Sequence, residues 1–255
     1  MRTNLIKTKE LPKVVEPSTT DGMLDMVIAF DTTGSMSAYI NAVKTHVKEL
    51  VPKLFSSNPD LRIGVVAFGD YCDMKAPTLY GKAYQVLDLT NDENKIIKFI
   101  NEAQNTSGGD GDEFYELVIK KITEETVWRE GSTKAVLLIA DAAPHKVGYS
   151  YKGIVSNAQI DWREEAKKAS ELGIKFDTMI IDPMYVEWYK ELSAMTNGVS
   201  VPFKNSGKTS QVIEAAALSR GGTRTKAMYM ATMDSVKDDV ELSAVYTAYS
   251  KEVTD

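Results

Sequence analysis

The segment "MVIAFDTTGSMSAYI", residues 26–40, decides the fold because it joins three different patterns in one short stretch. A run of apolar residues ends at Asp31, small and polar residues follow, and apolar residues then recur at helical spacing from Ile40. This order predicts a strand buried on both faces, a polar loop and a long amphipathic helix over 35–55. The loop places one carboxylate and several hydroxyls directly after the strand. Taken alone, such a loop is compatible with a metal site, a phosphorylated aspartate or a capped helix.

The composition limits the chemistry that this loop can support. The chain has 255 residues, of which 43% are hydrophobic and 26% charged, enough for one large α/β domain. Its net charge is −6, and the densest basic cluster, at 219–226, contains only three cations, which argues against a nucleic-acid partner. With one cysteine and two histidines, the chain cannot form an internal disulfide or a cysteine-based zinc cluster. A bound metal would therefore need oxygen ligands, which favours Mg²⁺, with Mn²⁺ or Ca²⁺ as alternatives.

The first 22 residues contain no continuous apolar region of the kind found in secretory leaders. No segment approaches the roughly 18 apolar residues of a membrane span. We therefore expect a cytoplasmic protein without a membrane partner.

Outward from the opening segment, strand and helix patterns alternate about six times with short links. This alternation predicts a doubly wound α/β fold, with a mostly parallel central sheet, helices on both faces and one antiparallel edge strand. The alternating segment 83–89 is the expected edge strand. We divide the chain into an irregular lead-in at 1–22, a domain at 23–220 and an extension at 221–255. The extension favours a terminal helix packed on the domain, and a strand pair is the alternative.

Three of the loops between the predicted strands and helices carry acidic residues. They are "DTTGSMS" from Asp31, "SGGDGDE" around Asp110 and "DAAPH" from Asp141. In an open parallel sheet, ligands bind beyond the carboxyl ends of the strands, so these loops are expected to meet there. Asp31, Thr33, Ser35, Asp110 and Asp141 are our predicted metal ligands, because Mg²⁺ prefers carboxylate and hydroxyl oxygens with room for water.

At this point the sequence resembles a known family over about residues 22–220. "DTTGSMS" resembles the D-x-[ST]-x-S metal-ion-dependent adhesion site (MIDAS) of von Willebrand factor type A domains. The resemblance implies that Asp31, Thr33 and Ser35 contact the metal or its waters, and that Asp141 lies on the third loop. A threonine normally occupies the second-loop position, where this chain has Asp110. The motifs "FGDYCD", "GGDGDE" and "ADAAPH" are similar to the branch found in alpha-kinase-associated and related intracellular proteins.

The resemblance implies a divalent-cation-containing protein-interaction module that acts in a larger assembly, without enzymatic activity. Three carboxylates around one divalent cation would weaken the attraction for an acidic partner, so we expect a neutral or water-mediated ligand if the metal mediates binding. Two alternatives stay open. "DTTGSMS" also resembles the "DKTGT" motif of P-type pumps and haloacid-dehalogenase-type phosphotransferases, in which Asp31 would be the nucleophile. Alternatively, the chain is a structural subunit whose metal only stabilises the loops.

Overall fold

A computed structural model describes residues 21–74, 83–109 and 111–253. The strands are β1 (Leu24–Asp31), β2 (Leu61–Phe68), β3 (Tyr84–Thr90), β4 (Thr133–Ala140), β5 (Ser150–Tyr151), β6 (Val155–Ser156), β7 (Ile174–Ile180) and β8 (Ser200–Pro202). The helices are α1 (Ser37–Ser57), α2 (Glu93–Glu102), α3 (Tyr115–Glu125), α4 (Trp162–Glu171), α5 (Val186–Met195), α6 (Thr209–Ser219), α7 (Thr223–Ser235) and α8 (Val240–Tyr249).

Within this described part of the chain, six strands form the central sheet in the order β3-β2-β1-β4-β7-β8. All neighbouring strands are parallel except β2 and β3, which pair antiparallel at one edge. The fold class predicted from the sequence, including the antiparallel edge strand, is therefore confirmed. The chain leaves β1 toward β2 on one side and later returns to β4 on the other, which makes the β1–β4 junction the topological switch point.

The register of the sheet brings the polar loops to one edge. Phe30 of β1 is paired with Ile139 of β4, so Asp31 and Asp141 leave neighbouring strands at nearly the same level. On the other side, Asp31 is paired with Phe68 of β2, and the loop from Gly69 begins directly beyond it.

Two hydrophobic layers cover the sheet because side chains alternate along each strand. Met26, Ile28 and Phe30 of β1 face one layer, which contains α1, α2 and α6 to α8. Val27 and Ala29 face the other layer, which contains α3, α4 and α5. All eight residues of β1 are buried, as the continuous apolar run predicts for a central parallel strand.

Two segments differ in detail from the sequence predictions. The sequence from 157 to 173 has a helical pattern that ends at Gly173, but α4 begins only at Trp162, because Asp161 caps it and Ala158 and Gln159 have positive φ angles. The β5–β6 hairpin precedes it. The segment after residue 220 forms two helices, α7 and α8, where the sequence favoured a single helix. Among the described helices, none is long and apolar enough to cross a membrane.

Candidate functional site

The loop after β1 folds around the carboxylate of Asp31. The backbone amide and the hydroxyl of Thr33 both donate to Asp31 Oδ1, at 2.7 Å and 2.7 Å. Thr33 Oγ1 lies 3.5 Å from Ser35 Oγ, at the 3₁₀ turn Gly34–Met36 that leads into α1. The loop thus gathers a buried carboxylate and two hydroxyls within a few ångströms. The N-cap positions of the 3₁₀ turn and of α1 are Thr33 and Met36, and neither side chain makes a cap hydrogen bond.

Asp141 joins this group from the neighbouring strand. It follows β4 directly, and its carboxylate accepts a hydrogen bond from the side chain of Ser35. Burial raises the pKa of Asp141, although the hydrogen bond from Ser35 favours the charged form. The structure therefore brings together four of the five predicted ligands: Asp31, Thr33, Ser35 and Asp141.

The fifth predicted ligand, Asp110, lies outside the described residues. Two residues before it, Gly108 has a φ of +65°, and a Cβ atom there would lie 2.9 Å from Glu113 Oε1 and 3.4 Å from Thr33 Cγ2. The glycine therefore allows the second loop to pack against Thr33. Glu113 lies before α3, which begins at Tyr115, and forms an isolated β-bridge with Pro144 of the third loop.

Tyr115 is a site residue that the sequence analysis missed. Its hydroxyl donates to Asp31 Oδ2 at 2.6 Å and accepts from the amide of Ala142 at 3.2 Å. The side chain is fully buried, with its ring against Phe68 and Trp188. Tyr115 therefore links the first loop to the third. Its only signal in the sequence is its place at the start of a helix that follows the glycine-rich loop.

The electrostatics of the pair formed by Asp31 and Asp141 favour a positive counter-charge. Burial and the negative charge of Asp141 together raise the pKa of Asp31 to about 7. Hydrogen bonds from Tyr115 and Thr33 act in the opposite direction, because they favour the ionised form. An ionised Asp31 in this buried position, beside the negative charge of Asp141, is unfavourable without a nearby cation.

A second polar cluster supports the same loops. His145 Nε2 lies 2.6 Å from Asp70 Oδ1, and the amide of His145 donates to Glu116 Oε2 at 3.1 Å. Tyr71 donates to the other oxygen of Glu116 at 3.0 Å. Burial raises the pKa of Glu116 to about 7, although its contacts with His145 and Tyr71 favour the charged form. The cluster ties the loop after β2, the start of α3 and the loop after β4 into one unit.

The loop after β2 also holds the glycine-rich loop in place. Asp73 Oδ1 accepts from the amide and hydroxyl of Ser107, at 3.0 Å and 2.7 Å. Thr32 donates its hydroxyl to Phe68 O at 2.8 Å, and its carbonyl accepts from the amide of Thr106 at 3.0 Å. These contacts place the described part of the second loop beside the first.

The residue types fit a hard divalent cation. Two carboxylates and two hydroxyls are oxygen donors of the kind that Mg²⁺ prefers, and they come from two adjacent strand ends. Asp31 is buried, whereas Ser35 is exposed and Asp141 is partly exposed, so solvent reaches one side of the group. In the described part of the chain, which leaves out Asp110, no three His, Cys, Asp or Glu side chains are grouped so that they could hold a metal. A cation at the described residues would therefore need hydroxyl or water oxygens in addition to the two carboxylates.

The fold and the site define a doubly wound α/β domain with a polar, oxygen-rich loop at its topological switch point. The sequence model of the von Willebrand factor type A domain family matches residues 25–230. The chain therefore belongs to the von Willebrand factor type A domain family, as its resemblance to that family predicted.

The individual relatives have low sequence identity to this chain. The alpha-protein kinase vwkA of Dictyostelium discoideum is 26% identical over 168 residues, which cover 62% of this chain and 23% of the kinase. This match agrees with the predicted similarity to the alpha-kinase-associated branch. The chain spans 23% or less of the length of the curated relatives it matches.

Solved structures share the fold at low identity. The pilus adhesin SpaC from Lactobacillus rhamnosus GG is 15% identical with a TM-score of 0.55, over 80% of this chain and 30% of the adhesin. An aerotolerance-related membrane protein from Bacteroides fragilis is 17% identical with a TM-score of 0.50, over 76% of this chain and 98% of that protein. These likenesses concern the fold alone.

Proposed function

We propose that this domain is a protein-interaction module that binds Mg²⁺ at Asp31, Thr33, Ser35 and Asp141, with its partner docking at or near the metal. Von Willebrand factor type A domains are in general protein-interaction modules, and the metal and the place of docking are what we add. One observation carries the proposal: the contacts from Asp31 to Thr33, from Thr33 to Ser35 and from Ser35 to Asp141 join oxygen donors of two neighbouring strand ends.

The oxygen donors Ser35 and Asp141 are exposed to solvent at least in part, which supports docking of a protein partner on their side of the site. A cation held by Asp31 and Thr33 at the buried end would keep its remaining positions, filled by water, toward Ser35 and Asp141. A partner could replace one of these waters or contact it. Asp110 would contribute a third carboxylate from the second loop, as predicted from the sequence. Mn²⁺ and Ca²⁺ have similar ligand preferences and are the alternatives to Mg²⁺.

The proposal includes no catalytic step. In the phosphotransferase alternative Asp31 would be the nucleophile, whereas the proposed site uses the same carboxylate as a metal ligand. Cys72 is not an activated nucleophile, because burial raises the pKa of its thiol to about 12. The phosphotransferase alternative predicts hydrolysis of an aryl phosphate and trapping with beryllium fluoride, and we expect neither. The cytoplasmic location and the absence of a nucleic-acid partner stay predictions from the composition.

Calorimetry tests the metal site. We expect Mg²⁺ to bind the parent domain, and Asp31→Ala and Asp141→Ala to abolish measurable binding. Asp234→Ala is the matched control, because this aspartate is exposed on α7 far along the chain from the site. Circular dichroism establishes that each variant is folded. Equal Mg²⁺ affinity in the parent and in folded Asp141→Ala would contradict the proposal.

A second measurement separates a docking role of the metal from a structural one. The immobilised domain is incubated with cell extract in Mg²⁺ and in EDTA, and the retained proteins are compared with those on Asp141→Ala. Retention that requires both Mg²⁺ and Asp141 supports docking at the metal. If EDTA only lowers the melting temperature and releases no protein, the metal has the structural role of the alternative subunit hypothesis.

A further inference from the structure

A cleft of about 530 Å³ lies beside the candidate metal site. Its walls are the backbone around Gly111, the loop from His145 to Tyr149, and the side chain of Tyr185. The hydroxyl of Tyr185 lies 3.4 Å from Gly111 O, which joins two of these walls. Asp141 of the candidate metal site precedes the wall formed by the loop from His145 to Tyr149 by only a few positions. The cleft and the candidate metal site therefore share one face of the domain.

One aromatic wall of the cleft is preorganised. The rings of His145 and Tyr149 are stacked with centroids 3.5 Å apart and planes 13° apart. His145 is held from behind by Asp70 and by Glu116, so neither ring has to be ordered when a ligand binds. Tyr185 adds a second aromatic side chain. The tyrosine rings of Tyr149 and Tyr185 are of the kind that attracts guanidinium and ammonium groups.

Carboxylates dominate the charge around this wall. Burial raises the pKa of the Tyr185 phenol, and the negative charges of Asp112, Asp182 and Asp141 raise it as well. Lys146 lines the cleft as a cation. Asp112 and Asp182 outnumber it even when a metal neutralises Asp141, so the field favours a positively charged ligand.

Two exposed apolar side chains lie on or next to the segments that line the cleft. Val147 is 50% exposed, and Met184, which precedes Tyr185 in the chain, is 77% exposed. Tyrosine and methionine are enriched at protein interfaces, where they surround inserted charged or aromatic anchors. An aromatic cleft with acidic surroundings and exposed apolar neighbours matches a cationic side chain that is flanked by apolar residues.

We propose that this cleft binds an arginine side chain of the protein partner, flanked by apolar residues that pack on Val147 and Met184. The inference rests on the proposed function insofar as it takes this face as the interface. Arginine is favoured over lysine because its planar guanidinium stacks on tyrosine while it pairs with a carboxylate such as that of Asp112. An acidic partner would instead meet the carboxylates that surround Tyr185.

The test uses a short capped peptide, Gly-Leu-Arg-Leu-Gly, titrated into the isotopically labelled domain and followed by amide chemical shifts. Two peptides serve as references: one has citrulline in place of arginine and the other has glutamate. We expect the arginine peptide to shift the amides of Gly111, Gly148 and Tyr185 and to bind about fivefold more tightly than the citrulline peptide. Each titration is made in EDTA and again in Mg²⁺. Failure of the metal site therefore leaves the EDTA measurement intact as a test of the cleft.

Two variants that change the charge of the cleft in opposite directions make the test more specific. Asp112→Asn should weaken binding of the arginine peptide by about threefold, and Lys146→Gln should strengthen it by about twofold. Asp234→Asn, on the exposed surface of α7, is the control that should change neither. The proposal is overturned if the citrulline peptide binds as tightly, if the glutamate peptide binds better, or if the shifts lie outside the cleft. Absence of any shift at peptide concentrations of about 10 mM also overturns it.

Discussion

Replacing Tyr115 by phenylalanine tests the link between the first and third loops. The substitution removes one hydroxyl, which donates to Asp31 Oδ2 at 2.6 Å and accepts from the amide of Ala142 at 3.2 Å. The aromatic ring stays, and it keeps its contacts with Phe68 and Trp188, so no cavity forms. Any loss therefore reports on the hydrogen bonds alone.

The magnitude follows from the two hydrogen bonds. A hydrogen bond to a charged group contributes about 1.5–3 kcal/mol, and a buried amide left without an acceptor costs about 1–3 kcal/mol. Since Asp31 and Tyr115 are fully buried, water does not replace the lost partner. We expect the free energy of unfolding in EDTA to fall by about 3 kcal/mol, measured by urea denaturation.

The same substitution should also weaken the metal site. Groups that orient metal ligands typically contribute 10- to 100-fold to affinity, so calorimetry should show at least a roughly tenfold loss of Mg²⁺ affinity in Tyr115→Phe. Tyr229→Phe is a matched control, because this buried tyrosine donates to the carbonyl of Tyr246 far from the site. It should lower stability by about 1 kcal/mol and leave Mg²⁺ affinity unchanged. Stability and affinity equal to the parent in Tyr115→Phe would refute the reasoning.

Two further predictions concern buried charges outside the ligand set. Burial raises the folded-state pKa of Glu116 to about 7, so the folded state binds more protons than the unfolded state, and this contribution to stability is lost as the pH rises from about 4.5 through 7. Glu116→Gln should therefore flatten the pH profile of the unfolding free energy over this range, and an unchanged slope relative to the parent would contradict the assignment. Arg220 donates to both oxygens of the fully buried Asp177 and to Glu252. Arg220→Met should lower the unfolding free energy by about 3–5 kcal/mol in urea denaturation, because it leaves a buried carboxylate unpaired, and adding Asp177→Asn should restore part of the loss. A double variant no more stable than Arg220→Met would show that the unpaired charge is not the cause.

Much of the fold could be predicted from local patterns. Strands buried on both faces are continuously apolar, as in β1 and β4, and amphipathic helices such as α1 show their core-facing positions at regular spacing. The edge position of β3 followed from its alternating pattern. The boundaries of α4 could not be predicted, because the charged helical pattern continues backward into residues whose positive φ angles interrupt the helix.

Some residues of the candidate site could likewise be predicted from the sequence, and others only the structure shows. Asp31, Thr33 and Ser35 lie within one turn of chain, so the sequence alone shows that they can act together, and the apolar run before Asp141 places it at a strand end. The roles of Tyr115 and His145 could not be predicted, because their hydrogen-bond partners lie far away in the sequence. Tyr115 bonds to Asp31, and His145 bonds to Asp70. No local pattern encodes contacts that depend on the register of β1 against β4 and on where α3 begins.

The sequence by itself determined the class of fold, the order of its elements and the oxygen-rich chemistry of the first loop, because these depend on short-range periodicity and residue type. Only the tertiary structure decided which side chains surround Asp31, how its charge is balanced, and that a cleft lined by Tyr149 and Tyr185 lies beside it. Those properties arise from burial and distance, which are set when strands distant in the chain become neighbours in the sheet.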